Sequence, residues 1–440
     1  MKLSIPTLPN ASLKLILCIV ILAVFVHESY GQQAQPLTLT LLEAVHIATT
    51  QNPNIQMAIV DSSIAKEEQR KALASLLPQV RIDATASQSR LDALGNSDGG
   101  PFRTVGAGPQ VSIPLFNAAD LGRYHARQAY SAAAVADAQT VREQIAGLTV
   151  SQYLLCVRLA ATTKAAESQV ALAKRLWDQA IAHEQAGSGT SLDTLRAKQK
   201  AKVQQQSLIR VQQEEEVGNF SLVRVLNLPP ATKIILADKE QLMGQHAIPE
   251  DQRAMEIAWT QRPEMIALQE RIAAATKELA SARGERLPSL NVNGAYGQEG
   301  GRMNDTGPAY QCGISVSVPI FTGGEIRAKI AAATLRIEHN KQEQNEFKNR
   351  IALEVLTALA QLRASTKEVG VANEGLDLAQ QEVMQAQDRF QSGASDNIEV
   401  VTAQDTLAQA YEAQIAALYR VNQAQADLAR AMGHVGDVYK

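Results

Sequence analysis

Two stretches of this chain carry the same landmarks in the same order. Asn52-Pro53 corresponds to Arg262-Pro263, and Leu76-Leu77-Pro78 to Arg286-Leu287-Pro288. Ser112-Ile113-Pro114-Leu115-Phe116 corresponds to Ser317-Val318-Pro319-Ile320-Phe321, and Gln185-Ala186-Gly187 to Gln391-Ser392-Gly393. The offsets stay between 205 and 210 residues. Spacing this constant marks a tandem duplication, which constrains the fold more than composition does. Whatever the first unit forms, the second forms again. The chain is therefore divided into residues 1–31, 32–230, 231–252 and 253–440. These are an export signal, a first repeat, a linker or equatorial segment, and a second repeat.

Each repeat follows one plan: short helices, two strands, then two long helices. The short helical stretches are interrupted at Asn52-Pro53 and Arg262-Pro263, because proline disfavours helix at the residue before it. The hairpins are expected over 78–116 and 289–321. Their residues alternate with the period of a strand. Tyr310, Cys312, Ile314, Val316 and Val318 share one face, opposite Gln311, Ser315 and Ser317. Leu290, Val292 and Tyr296 oppose Asn291 and Asn293; Val80, Ile82, Ala84 and Ala86 oppose Arg81, Asp83, Thr85 and Ser87. A half-buried sheet of a soluble protein alternates likewise, but here no second apolar strand set exists to cover these faces. Open sheet edges cannot face lipid, and membrane barrels need about eight strands or more. Four strands per chain thus predict an oligomeric barrel.

Long helices are expected over 118–226 and 325–432, each pair broken by a glycine-bearing turn. The longer helix of each pair, at ~68 residues and 1.5 Å per residue, would reach ~100 Å. Coiled-coil seams account for such length. In the second repeat Val369, Ala372, Leu376, Ala379, Val383, Ala386 and Phe390 recur at spacings of three and four. Beyond the turn, Val400, Leu407, Val421 and Leu428 share one seam position, with Gln414 the exception. Ala403, Ala410, Ala417, Ala424 and Ala431 hold the other. The first-repeat seam (Thr194, Ala197, Ala201, Gln204, Leu208, Val211, Glu215) is more polar, so the two hairpins are expected to pack differently.

The turns Gly187-Ser188-Gly189-Thr190 and Gly393-Ala394-Ser395-Asp396 join antiparallel helices. Glycine tolerates the left-handed backbone that ends a helix. Thr190 and Asp396 precede Asp193 and Glu399 at the capping-box spacing, although the box prefers Glu or Gln at its third position. Capping alone explains these acids. A second role is open to them: a ring of carboxylates at the mouth of an oligomeric tunnel.

The first 31 residues read as an export signal. Lys2 and Lys14 precede an unbroken apolar run over 15–26, and Ser29-Tyr30-Gly31 offers a cleavage site. Cys18 lies inside that run, preceded by Ile16 and Leu17, which does not suit lipid attachment. Cys156 and Cys312 fall in a helical and a strand pattern and are expected to stay unpaired. Net charge is −3, so no basic field points to nucleic acid. The seven histidines lack metal-ligand spacing, and nucleophile-elbow and phosphate-loop fingerprints are absent. No enzyme, cofactor or metal is expected.

Taken in order, several motifs resemble the TolC-like outer-membrane efflux protein family. They are Leu39-Thr40-Leu41-Leu42-Glu43-Ala44, Asn52-Pro53, Leu77-Pro78 and Val318-Pro319-Ile320-Phe321-Thr322-Gly323-Gly324. Arg389-Phe390-Gln391-Ser392-Gly393 and Val400-Val401-Thr402-Ala403-Gln404 complete the set. The resemblance implies a mainly α fold with transmembrane β-strands. Three subunits would give a twelve-stranded barrel in the outer membrane and an α-barrel reaching into the periplasm. A passive exit duct for efflux or type I secretion follows, driven by an inner-membrane pump. A periplasmic adaptor and the pump would dock at the turns, at Gly187, Gly189, Thr190, Gly393 and Asp396. The resemblance places an acidic ring at Glu399, and Thr402 stands where a family member carries another acid. The competing reading is a periplasmic coiled-coil adaptor, which would carry one hairpin between soluble β-domains rather than strands before both hairpins.

Overall fold

The computed structural model describes residues 37–89, 102–239, 248–302, 304–392, 394–395 and 397–439. The predicted export signal at 1–31 and the turn residues Gly393 and Asp396 lie outside the described residues. The chain forms two compact units, and the boundaries cut across the sequence repeats. Among the described residues, one comprises those within 37–44 and 152–239, the other those within 45–151 and 248–439.

The first unit holds β1 (Leu37–Leu39), β4 (Ile234–Leu236), α4 (Ser191–Val225) and the C-terminal part of α3 (Ala118–Gln185). Strand β4 falls on the short apolar stretch after the Pro229-Pro230 pair and runs parallel to β1. Tyr153 ties this pair to α3: its hydroxyl lies 2.9 Å from the Leu39 carbonyl and 2.7 Å from Asp238 Oδ2. The same carboxylate oxygen accepts from the Leu41 amide at 2.8 Å. Burial, reinforced by Asp238, pushes the Tyr153 phenol well above its ordinary range, so it serves as a neutral donor. Along α4 only Ala197 and Val211 of the expected seam are buried. Near its C-terminal end Gly218 lies so close to α3 that a Cβ there would strike Leu159. Gln152 Nε2 donates to the Gly218 carbonyl at 3.1 Å.

The second unit holds most other elements. Helices α1 (Leu41–Gln51) and α2 (Pro53–Ala74) meet at Asn52, and α5 (Asp251–Gln261) and α6 (Pro263–Gly284) meet at Arg262. Both junction residues are extended, with ψ of 126° and 124°, as a following proline requires. The sheet is antiparallel in the order β2-β3-β5-β6, formed by Gln79–Ser89, Phe102–Phe116, Ser289–Arg302 and Asp305–Ser317. The hairpin of each repeat pairs internally, and β3 joins β5 across the duplication. Helices α7 (Glu325–Gln391) and α8 (Asn397–Met432) pack as a long hairpin; a one-turn helix, α9 (Val435–Val438), follows.

The α7–α8 seam is dry for most of its length. Val369, Leu376, Ala379, Val383 and Ala386 are buried on α7, as are Val400, Ala403, Ala417, Val421 and Leu428 on α8. Small alanines admit close approach while the larger residues fill facing holes. Gln414, the polar exception, donates to Asn373 Oδ1 across the seam at 2.9 Å. Deeper in the same core, Ile351, Val355 and Leu359 gather with Ala254, Ala258 and Met265. One stretch of α3 is long and apolar enough, by length and composition, to cross a membrane, and 56% of it is buried within the protein.

Candidate functional site

Two faces of the four-stranded sheet have opposite chemistry. On one, Ile82 is 80% exposed, Tyr310 85% and Ile314 70%, and Val80, Tyr296 and Val316 are likewise open. Holding a large apolar side chain in water forgoes about 1.5–3 kcal/mol relative to burial. A band of them spread over β2, β5 and β6 is therefore built for an apolar medium, which fits a hydrocarbon layer. With 11 to 15 residues per strand, the length suffices for a tilted crossing.

The opposite face is polar and laced with hydrogen bonds between strands. Arg81 donates to Gln110 Oε1 at 3.0 Å and to Asp83 Oδ2 at 2.7 Å. Ser112 donates to Asn293 Oδ1 at 3.0 Å, and Asn293 Nδ2 to Ser315 Oγ at 3.2 Å. This face is concave and encloses a recess of 530 Å³. Strands β2 and β6 are the sheet's edges, with unpaired backbone groups on their outer sides. Cys312 is exposed and Cys156 buried, and both are free thiols.

The helix turns were the other sites marked by sequence. In the first, Gly187 adopts φ 74°, the left-handed region that glycine enters without a Cβ penalty. The Ser188 and Gly189 amides both reach the His183 carbonyl at 3.0 Å, closing α3. Thr190 then opens α4. Its hydroxyl donates to Asp193 Oδ2 at 2.6 Å, and its amide donates to the same oxygen at 3.2 Å. The Asp193 amide returns a bond to Thr190 Oγ1 at 3.2 Å. The capping box is thus complete with the shorter acid in place of Glu.

In the second turn the described residues lie on either side of Gly393 and Asp396. Ser392 and Ala394 amides close α7 on the Asp388 and Arg389 carbonyls at 3.0 and 2.8 Å. Glu399 pairs across the turn with Arg389, Nε to Oε1 at 3.1 Å, both side chains about half exposed. Sequence reasoning marked Glu399 and missed its counter-charge. Arg389 sits ten positions earlier, a separation that only becomes a contact once the helices fold back. The polar ladder on the sheet was also missed as a site, although its residues were visible as the polar half of the alternation.

The fold matches known outer-membrane channels. The family model described as outer membrane efflux protein matches residues 44–227 and 255–434. The chain belongs to this family, and it is a subunit of an outer-membrane channel of the efflux and secretion kind. It is 25% identical over 389 residues to the alkaline protease secretion protein AprF of Pseudomonas aeruginosa, covering 84% of this chain and 79% of that protein. It is 24% identical over 417 residues to the pyoverdine export outer membrane protein OpmQ of Pseudomonas putida, covering 88% and 84%. Among solved structures, the outer-membrane channel OprN superposes with a TM-score of 0.79 at 20% identity, over 89% of each chain. VceC of Vibrio cholerae gives 0.79 at 18% identity, over 90% of this chain and 96% of its own. The adaptor reading falls away.

Proposed function

We propose that three copies of this chain close a twelve-stranded barrel in the outer membrane, continued by an α-helical tunnel that ends at the hairpin turns. The sheet carries this reading: one face suits lipid, the other suits water, and both edges need strands from elsewhere. An open edge in hydrocarbon leaves backbone groups unsatisfied at several kcal/mol each, so closure by further copies is the physical solution. The chain acts as a passive conduit without catalysis of its own. A periplasmic adaptor and an inner-membrane pump engage the turns at Gly187, Gly189, Thr190, Gly393 and Asp396, and the pump supplies the energy. The 231–252 segment joins two repeats of one ancestral unit. Asp193 and Glu399 ring the tunnel mouth, and rearrangement of the hairpin seams changes its aperture.

Planar-bilayer recording of the purified protein, with its oligomeric mass measured in parallel, tests the proposal. Long-lived discrete conductance steps from a trimer are expected. A monomer without conductance would overturn it. Glu399→Ala is expected to raise the conductance or cation leak of the free channel; unchanged currents would remove Glu399 from the mouth while leaving the barrel intact.

A further inference from the structure

We propose that Arg81, Gln110 and Gln311, with Gln79 and Asn293 beside them, form a constriction belt across the pore at the helix-proximal end of the barrel. The inference rests on the closed barrel proposed above and locates a sieve within it. Cross-strand partners on one face form rows. Arg81 aligns with Gln110, Gln110 with Ala295, and Ala295 with Gln311. The neighbouring row toward the helices joins Gln79, Ser112, Asn293 and Gly313. These two rows carry most of the long polar side chains of this face, Glu299 lying two rows beyond, and line the 530 Å³ recess.

Moving away from the helices, each row of the same face keeps a single charged side chain, Asp83 and then Glu299, among small residues. Asp83 aligns with Gly108, and Gly297 with Ala309. The row after that aligns Thr85 with Gly106, Gly106 with Glu299 and Glu299 with Gly307. Some of these glycines are imposed by the backbone: a Cβ on Gly108 or Gly297 would strike the adjacent strand. At Gly307 a Cβ would meet nothing within 4 Å, as also at Gly313 in the belt row, so neither glycine of β6 is imposed by a clash. Within the belt rows Arg81 donates to Gln110 and Ser112 to Asn293 along the wall, while Gln79 Nε2 donates to the Ala74 carbonyl at the helix-proximal end. Asp83 lies 2.7 Å from Arg81 and balances its charge. The belt thus discriminates by size and hydrogen bonding more than by charge.

Accessibility of engineered cysteines tests this independently of any resistance at the far end of the tunnel. In a Cys312→Ser background, single cysteines are placed at Ala84, Thr85, Gln110 and Ser315. Intact cells are labelled from outside with membrane-impermeant maleimide–polyethylene glycols of increasing size. Small reagents are expected to label Thr85→Cys, Gln110→Cys and Ser315→Cys. A larger reagent that still labels Thr85→Cys is expected to label Ser315→Cys at least about tenfold more slowly, as a side-chain constriction would impose. Adding Arg81→Ala or Gln110→Ala should remove that difference, with labelling at Thr85→Cys reporting an intact barrel. Equal labelling at Thr85 and Ser315 for every reagent that enters would overturn the belt. So would a difference that survives both alanine substitutions. Labelling of Ala84→Cys in preference to Thr85→Cys would instead overturn the assignment of the polar face to the pore.

Discussion

The two repeats solve the same junction with different chemistry. At the α1–α2 break, Asn52 is 5% exposed and caps α2, its Oδ1 accepting from the Asn54 amide at 2.9 Å. At the α5–α6 break, Arg262 is 8% exposed and makes no cap at all. Its guanidinium bonds Glu354 Oε2 at 2.5 Å and straddles Glu264 at 3.3 and 3.4 Å. Gly433, at φ 80°, packs so close that a Cβ would run into Arg262. The proline that follows each junction imposes the same backbone, and the side chain is free to diverge. One repeat uses a local cap; the other uses a charge that binds sequence-distant helices together. Among the described residues of the hairpin turns, the first carries a local box at Thr190–Asp193 and the second a cross-turn ion pair at Arg389–Glu399.

The contrast predicts a graded response to substitution. Arg262→Ala should cost most, about 2 kcal/mol. Breaking a buried pair costs roughly 3–5 kcal/mol, discounted because Glu354 is nearly half exposed. Thermal unfolding of the purified protein reads this. Arg262→Asn should recover part of the loss if the second junction accepts the first one's cap; no recovery would show that the two junctions are no longer interchangeable.

Asn52→Ala and Thr190→Ala should each cost about 1 kcal/mol, the value of a lost N-cap. Hydrogen exchange should show fraying confined to the first turns of α2 and α4 respectively. Protection lost along the whole of α4 would contradict a local role for Thr190.

Arg389→Ala should shift stability by less than about 0.5 kcal/mol, because an exposed pair is screened and entropically costly to hold. A loss comparable to that at Arg262 would erase the distinction between buried and exposed ion pairs drawn here.

The smallest effect is expected at Cys156, a buried thiol pushed up to about 11 by burial, against a lowering hydrogen bond from Gln152. The folded thiol keeps its proton where an unfolded one, ionising near 8.5, begins to lose it. Stability from this group is therefore full below about pH 8.5 and declines as pH rises toward 11. A thiol reagent at pH 8 should leave Cys156 unmodified until the protein is unfolded. Rapid modification of the native protein would show that the α3–α4 contact around Gly218 opens.

Much of this architecture was legible in the amino-acid sequence because its signals are local or periodic. A repeat of landmarks reveals duplication, a period of two marks the strand faces, and heptads mark the α7–α8 seam down to its Gln414 exception. Proline and glycine punctuate the breaks because their backbone restrictions act wherever they stand. Pairings between sequence-distant residues were not legible. Arg262 with Glu354, Tyr153 with Asp238, Arg389 with Glu399 and Ser112 with Asn293 depend on which segments are brought together, and no local rule encodes that. The same holds for the row of long side chains at Arg81 and the rows beyond it, since the β3–β5 register across the duplication had to be set before they could align. Sequence determined the elements and the face each presents, through backbone sterics and hydrophobic period. Tertiary structure alone decided which polar groups meet, because a hydrogen bond or ion pair between distant segments exists only after packing has placed both ends within about 3 Å.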